Sequence, residues 1–338
     1  MQIIKNRKIP FIISGVLFAL SVLVLFQFGL KQGIDFTGGS LMEVKFTRAV
    51  NGQVDKRPDI GKLREVLGGL DIGEVLVQES GSDKIILRMK FLSEDEHQLV
   101  LSVLRDEFGE EVELSVEAME ESKNDEEIEI DAVEGVGKAI NQNLPVVLEE
   151  RFETIGPAIS TQLRKRSFYA AIAVVLAIIL YVGYVFRRVS KPVKSWKYGV
   201  TAIIALIHDA TITMGVFALL GHFLGVEIGI PFVVALLTIM GYSVNDTIVV
   251  FDRVRENLIK RGSEHFAQTV NLGVNQSITR SINTSLTTLL VLVALFFFGG
   301  DSIHYFSLAL ILGITVGTYS SIFLASPLLV VWERLKNK

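Results

Sequence analysis

Cysteine is absent from the 338 residues. Disulfides, thiol nucleophiles and Cys-ligated metals are therefore excluded. A nucleotide-binding loop of the G-x-x-x-x-G-K-[ST] type is also missing, so the chain supplies no ATP-driven work of its own. The acidic run from Glu120 to Glu134 lacks the Gly-centred spacing of an EF-hand and is read as an insertion, not a calcium site. No feature calls for a cofactor, a metal or a nucleic-acid partner. His97, His222, His265 and His304 are scattered and assigned nothing. The sequence also lacks the even mixing of polar and apolar residues of a soluble chain.

Half of the residues are hydrophobic, and they gather into six blocks: Pro10 to Leu30, Phe168 to Phe186, Gly199 to Leu220, Ile230 to Phe251, Ile278 to Phe298 and Tyr305 to Val331. Each is about 20 residues long, enough to span a bilayer core. Each is expected to be helical, because lipid offers no other partner to backbone polar groups. The first block follows Lys5, Arg7 and Lys8 but ends in Phe26-Gln-Phe-Gly-Leu30 without a small-x-small cleavage site, and is read as an uncleaved anchor. Lysine and arginine collect at the N-terminus, at 187–197, at 253–261 and at the C-terminus, which places those segments in the cytoplasm. The net charge of −4 hides an asymmetry, since residues 31–167 hold 29 acidic and 17 basic side chains against 8 and 16 elsewhere. The large loop is thus expected to be an acidic, solvated domain on the outer face.

Within that loop, an alternating stretch from Ser40, an amphipathic helix over 58–70, strands at 75–79 and 84–89 joined by a turn, and a helix from the capping box Ser93-x-x-Glu96 to about Phe108 follow one another. Completed by one more strand, either 111–118 or 146–155, the order is βαββαβ, the ferredoxin-like arrangement. Gly33, Gly38 and Gly39 flank Asp35 and are read as a rigid exit from the first span. The predicted division is 1–30 for the N-terminus and first span, 31–167 for the outer α+β domain with its acidic insertion at about 120–145, 168–332 for the remaining five spans, and 333–338 for a tail. Between the fourth and fifth spans, 252–276 is cationic and amphipathic, with Val254, Leu258, Phe266, Val270 and Val274 able to lie on the membrane surface.

Inside the apolar blocks, charge is expensive. An Asp at mid-helix costs roughly 2.5 to 3.5 kcal/mol on insertion scales, so Asp246, beside Asn245, needs a partner or a task. His208-Asp209 lies about ten residues into the third block. The fifth opens with Arg280, and Asn283, Thr284 and Thr287 share its face by helical spacing. The serines and threonines are read chiefly as interhelical glue, worth about 0.6 kcal/mol per hydrogen bond. For Asp246 and Arg280 that reading is weak.

The stretch from Gly241 to Asn257, which includes Asp252 and Arg253, resembles the signature of the SecF side of the SecD/SecF family in the bacterial Sec export machinery. Gly33-Ile-Asp-Phe-Thr-Gly-Gly39, His208-Asp209 and Thr279-Arg-Ser281 to Thr288 resemble further motifs of that family. The resemblance implies half of a resistance-nodulation-division transporter, paired with SecD. It also implies association with SecYEG, YajC, YidC and the translocating polypeptide, and use of the proton gradient late in export, without enzymatic activity. It implicates Asp246 and Arg280 in proton movement, with His208, Asp209 and Asn245 beside them. Asp246 and Arg280 are expected to form a buried, switchable pair, or Arg280 to act with the partner's equivalent carboxylate. A homodimeric exporter of small molecules or lipids and a purely structural stabiliser remain open alternatives.

Overall fold

Each apolar block becomes a helix, and the chain between the first two folds into strands and short helices. A computed structural model describes residues 2–334 apart from positions 48, 51–52, 55–57, 71, 81–83, 109–145, 187–194 and 263–264. In chain order the elements are α1 (Lys8–Phe28), α2 (Ile34–Thr37), β1 (Gly39–Thr47), β2 (Ala49–Val50), β3 (Gln53–Val54), α3 (Ile60–Gly68), β4 (Leu76–Ser80), β5 (Lys84–Met89), α4 (Glu94–Phe108) and β6 (Val146–Ile155). There follow α5 (Pro157–Val185), α6 (Ser195–Leu224), α7 (Ile230–Arg261), α8 (Phe266–Phe298), α9 (Asp301–Ser320), a π turn (Ser321–Ala325) and α10 (Ser326–Arg334). Among the described residues, six helical stretches are long and apolar enough to cross a membrane: α1, α5, α6, α7, α8 and the continuous run through α9, the π turn and α10. The chain is a multi-pass membrane protein.

The backbone divides into two compact units, one of Met1–Phe36 with Gln162–Lys338 and one of Thr37–Thr161. In the second, four strands form an antiparallel sheet in the order β4-β5-β1-β6. That order, with α3 and α4 as the connecting helices, is ferredoxin-like. Its last strand is 146–155, which pairs along the whole of β1. The stretch 111–118 and the acidic insertion lie outside the described residues. Met42, Val44, Leu63, Leu67, Leu87, Val100 and Leu104 form a core with at most 1% of each exposed. Such burial is worth about 1.5 to 3 kcal/mol for each large apolar side chain.

The capping box forms. Ser93 donates to Glu96 Oε2 from its backbone N–H at 2.8 Å and from its hydroxyl at 3.0 Å, and Glu96 N–H reaches back to Ser93 Oγ at 3.4 Å. The backbone N–H of Ser93 first, and then its hydroxyl, hold the Glu96 carboxyl below the usual carboxylate range. A depressed carboxyl stabilises the fold above its unfolded pKa, and the contribution is lost as pH falls through the folded value. Glu96→Ala should therefore lower the melting midpoint of the full chain in detergent at pH 7 by about 2 to 4 °C. The difference from wild type should vanish in acid, where both proteins lack the charge; a constant difference at every pH would refute the assignment.

The membrane unit has two apolar clusters. One gathers Phe186, Tyr198, Phe251, Val254, Val270 and Leu329, the other Phe217, Phe232, Ala235, Ile239, Ala309 and Ile314. The amphipathic segment takes a different form from the one expected. α7 continues to Arg261 and α8 begins at Phe266, so the segment is shared between two long helices. Val254, Leu258, Phe266, Val270 and Val274 are all buried in the first cluster. They pack the two helices together instead of lying on a membrane surface, because an apolar stripe on two antiparallel helices is covered more fully by its twin than by lipid headgroups.

Candidate functional site

Two carboxylates lie inside the membrane unit, each at the middle of a long helix. Asp209 is 1% exposed at the centre of α6, and Asp246 is 9% exposed at the centre of α7. No lysine or arginine forms an ion pair with either among the described residues; hydroxyls hold both, and His208 adds to Asp209. Asp209 Oδ2 accepts from Ser243 Oγ at 2.6 Å and from Ser320 Oγ at 2.7 Å, while its Oδ1 lies 2.9 Å from His208 Nδ1. Asp246 Oδ1 accepts from Ser281 Oγ at 2.5 Å, and its Oδ2 accepts from Ser321 Oγ. Hydroxyl donors of this kind stabilise a carboxylate without neutralising it, which leaves the group free to take up a proton.

The serines come from three helices and link the two acids. Ser243 sits on α7 one turn before Asp246, so α7 serves both sites. Ser320 and Ser321 are neighbours where α9 passes into the π turn, and one serves each carboxylate. Successive helical residues point about 100° apart, which lets one backbone address two helices. Single-turn π segments recur at functional sites. Among the described residues, His208 Nε2 and Thr247 Oγ1 are buried without a hydrogen-bond partner. Each such group costs about 1 to 3 kcal/mol, a burden that folds accept mainly where function requires it.

The structure corrects one expectation. Among the described residues no ion pair joins Asp246 to Arg280. The helical face that carries Ser281 toward Asp246 turns its neighbour Arg280 outward, and Arg280, Asn283, Thr284 and Thr287 are all exposed on one stripe of α8. On α7 the same happens: Asp246 is buried, whereas Thr238, Gly241, Asn245 and Asp252 are exposed on the opposite face. Asp252 and Arg253 lie beyond the buried centre. Arg253 pairs with Glu256 at 2.6 Å on the helix surface, a contact worth little. Two adjoining helices thus display polar and small residues outward at mid-length.

The glycine-flanked exit from α1 has a task that sequence spacing did not reveal. Asp35 Oδ2 accepts from the backbone N–H of Ile230 at 2.7 Å, closing the open N-terminus of α7. The flanking chain pairs alongside: Gly33 N–H donates to Ile228 O at 2.9 Å and Ile228 N–H to Lys31 O at 2.8 Å. In the other unit, Gly38 and Gly39 have φ of 74° and 118°, a region that side chains avoid. A Cβ at Gly39 would stand 2.7 Å from the Met89 carbonyl oxygen. Asp35, Asp209 and Asp246 are thereby given partners, while Arg280 and Asn245 are left facing outward.

Comparison with known proteins identifies the family. A family model described as "Protein export membrane protein SecD/SecF, C-terminal" matches residues 135–335, and one for the "SecD/SecF GG Motif" matches 23–50. The protein translocase subunit SecF of Thermobaculum terrenum is 36% identical over 345 residues, covering 98% of this chain and 94% of the relative. That of Synechocystis is 34% identical, covering 100% and 96%. A crystal structure of SecDF from Thermus thermophilus, titled as a translocon-associated membrane protein, matches with a TM-score of 0.70 and 33% identity. It covers 99% of this chain, which spans 38% of that longer polypeptide. With the α+β unit after its first span, its two hydroxyl-held carboxylates and its glycine motif, the chain belongs to the SecD/SecF family of protein export membrane proteins.

Proposed function

We propose that the chain works as the SecF-type half of a pair with SecD, using the proton gradient to promote late, ATP-independent steps of protein export across the bacterial cytoplasmic membrane. Asp246 is the principal proton carrier and Asp209 with His208 a second buried acid group joined to it through serines. SecYEG, YajC and YidC are the assembly around the pair, and the exported polypeptide is its cargo. Both termini lie in the cytoplasm and 31–167 outside, in keeping with the distribution of lysine and arginine.

The observation that carries this reading is the exposed polar stripe beside a buried acid. Arg280, Asn283, Thr284 and Thr287 of α8, with Thr238 and Asn245 of α7, face away from the bundle in the single chain. Lipid is a poor neighbour for an arginine and an asparagine at such depth. A second subunit with a matching polar face satisfies them, and its carboxylate opposite Arg280 replaces the internal pair that the structure lacks. A structural stabiliser has no use for the buried acids, and a homodimeric exporter would set the stripe against a second copy of the chain, which cross-linking distinguishes.

The chain is free of cysteine, so a single Asn283→Cys reports its neighbour directly. Oxidative cross-linking in native membranes, against cysteines placed on the spans of SecD, should give a SecD adduct in high yield. Labelling of Asn283→Cys by lipid-soluble maleimide alone, or cross-linking only to a second copy, would overturn the pairing. Arg280→Met should leave the chain folded, since the side chain is exposed within it, and should cut gradient-dependent export at least tenfold.

A further inference from the structure

We propose that Asp35 is the positioning residue through which movement of α7 reaches the extracytoplasmic domain. The inference rests on the reading of Asp246 as a proton carrier. α7 is one unbroken helix of 32 residues, and Asp246 lies 16 residues from Ile230, about 24 Å along its axis. A helix with a continuous hydrogen-bond ladder transmits displacement at one end to the other. At its outer end α7 is held by Asp35, whose carboxylate accepts the Ile230 N–H at 2.7 Å. An anion is favoured at that end by the helix dipole as well.

The hold is more than one bond. Lys31 to Gly33 run in parallel pairing beside Ile228, with a bridge between Gln32 and Ile228 and two backbone hydrogen bonds. Lys31 Nζ lies 3.6 Å from Glu227. A Cβ at Gly229 would stand against Asp35 Oδ2, so a side chain there would displace the carboxylate that holds the helix. Two residues after Asp35, at Thr37, the chain enters the other compact unit. Its first glycines are closely packed within it: a Cβ on Gly38 would sit 3.1 Å from Ser160 Oγ, and one on Gly39 2.7 Å from the Met89 carbonyl oxygen. The other covalent route into that unit is α5, whose apolar window is 6% buried and which packs on the first cluster near its end, at Val182. Residues 31–35 are thus fastened to the helix that bears Asp246, and they lead by covalent chain into the other unit.

The test separates proton movement from export in the reconstituted complex. Asp35→Ala should keep proton flux within about twofold of wild type while gradient-dependent export falls about tenfold. Asp35→Asn should recover at least half of that export, since its amide oxygen accepts the same bond. Asp246→Asn should lose both readouts. Normal export by Asp35→Ala, or loss of flux together with export, overturns the role given to Asp35. Normal flux in Asp246→Asn overturns the proton reading instead.

A second arm does not depend on Asp35→Ala folding. The ideal Cβ of Gly33 lies 3.7 Å from Glu227 Cβ, within the separation that a disulfide bridges. In the cysteine-free chain, Gly33→Cys with Glu227→Cys should form a bond that fastens the joint. The oxidised double variant should export at the normal rate, and the same bond should rescue Asp35→Ala. Export that stops on oxidation and returns on reduction would show a joint that must open in every cycle, and the proposal would be wrong.

Discussion

Asp246→Asn is expected to abolish gradient-dependent export, by at least tenfold in vesicles energised without further ATP turnover, while the subunit still folds and still recovers its partner. The amide keeps the volume of the acid; its oxygen can accept from one of Ser281 and Ser321 while its NH2 donates to the hydroxyl of the other, so the packing of α7, α8 and the sixth span is preserved. What it loses is the capacity to exchange a proton. Moving one charge through the membrane field yields about 2.3 kcal/mol per 100 mV. The cost of placing an ionised Asp at mid-membrane is of similar size, so uptake and release of a single proton is enough to decide between two helix arrangements. Dependence on the gradient at the wild-type level in Asp246→Asn would leave a structural stabiliser as the better account.

The second large effect is on folding. Gly273→Leu should prevent α7 and α8 from closing and so remove the folded protein, seen as loss of a monodisperse peak in detergent. A Cβ at position 273 would lie 2.8 Å from Val254 Cγ2, 2.9 Å from its Cα and 3.0 Å from its N. Backbone cannot yield as the tip of a side chain can. Overpacking a core costs typically 1 to 3 kcal/mol, and a clash with backbone across the most buried part of the hairpin belongs at about 3 kcal/mol or above. The control is Gly241→Leu. Nothing stands within 4 Å of a Cβ at Gly241, so that variant should fold normally and instead weaken association with SecD. Equal folding of both variants would show that the α7–α8 contact is looser than its geometry states.

The two glycines look alike as letters, and this marks where sequence reading succeeds and fails. The six spans were legible because lipid imposes one rule on any apolar block. Their ends were not: Asp252 to Asn275 reads as a cationic, amphipathic segment for the membrane surface, yet Val254 and Leu258 continue the buried face of α7. The βαββαβ order could be read from alternation, whereas the choice of 146–155 as the last strand needed its pairing with β1. Asp246, Asp209 and His208 stood out because charge in an apolar block is costly. Ser243, Ser281, Ser320 and Ser321 did not, since a serine in a membrane helix is unremarked until its partner is known. Arg280 was expected beside Asp246 in an ion pair, whereas Ser281, one position on, makes the bond; one position on a helix is 100° of rotation. Asp35 bonds a residue 195 positions away, and no local pattern announces that.

The π turn has a consequence for how the sixth span can vary in length. Its wider ring, seen again where Ser326 Oγ donates to Ser321 O at 3.1 Å across five residues, absorbs one residue more than an α-helical turn. The span is therefore two α-helices joined with one residue to spare. Removing one residue from 322 to 325 would turn the wide ring into an α-helical one, and Leu329 and Val330, now wholly buried, would keep their facing because the extra residue is already absorbed there. The same one-codon deletion in the regular part of α9 or α10 would rotate everything after it by about 100° and turn that buried face off the bundle.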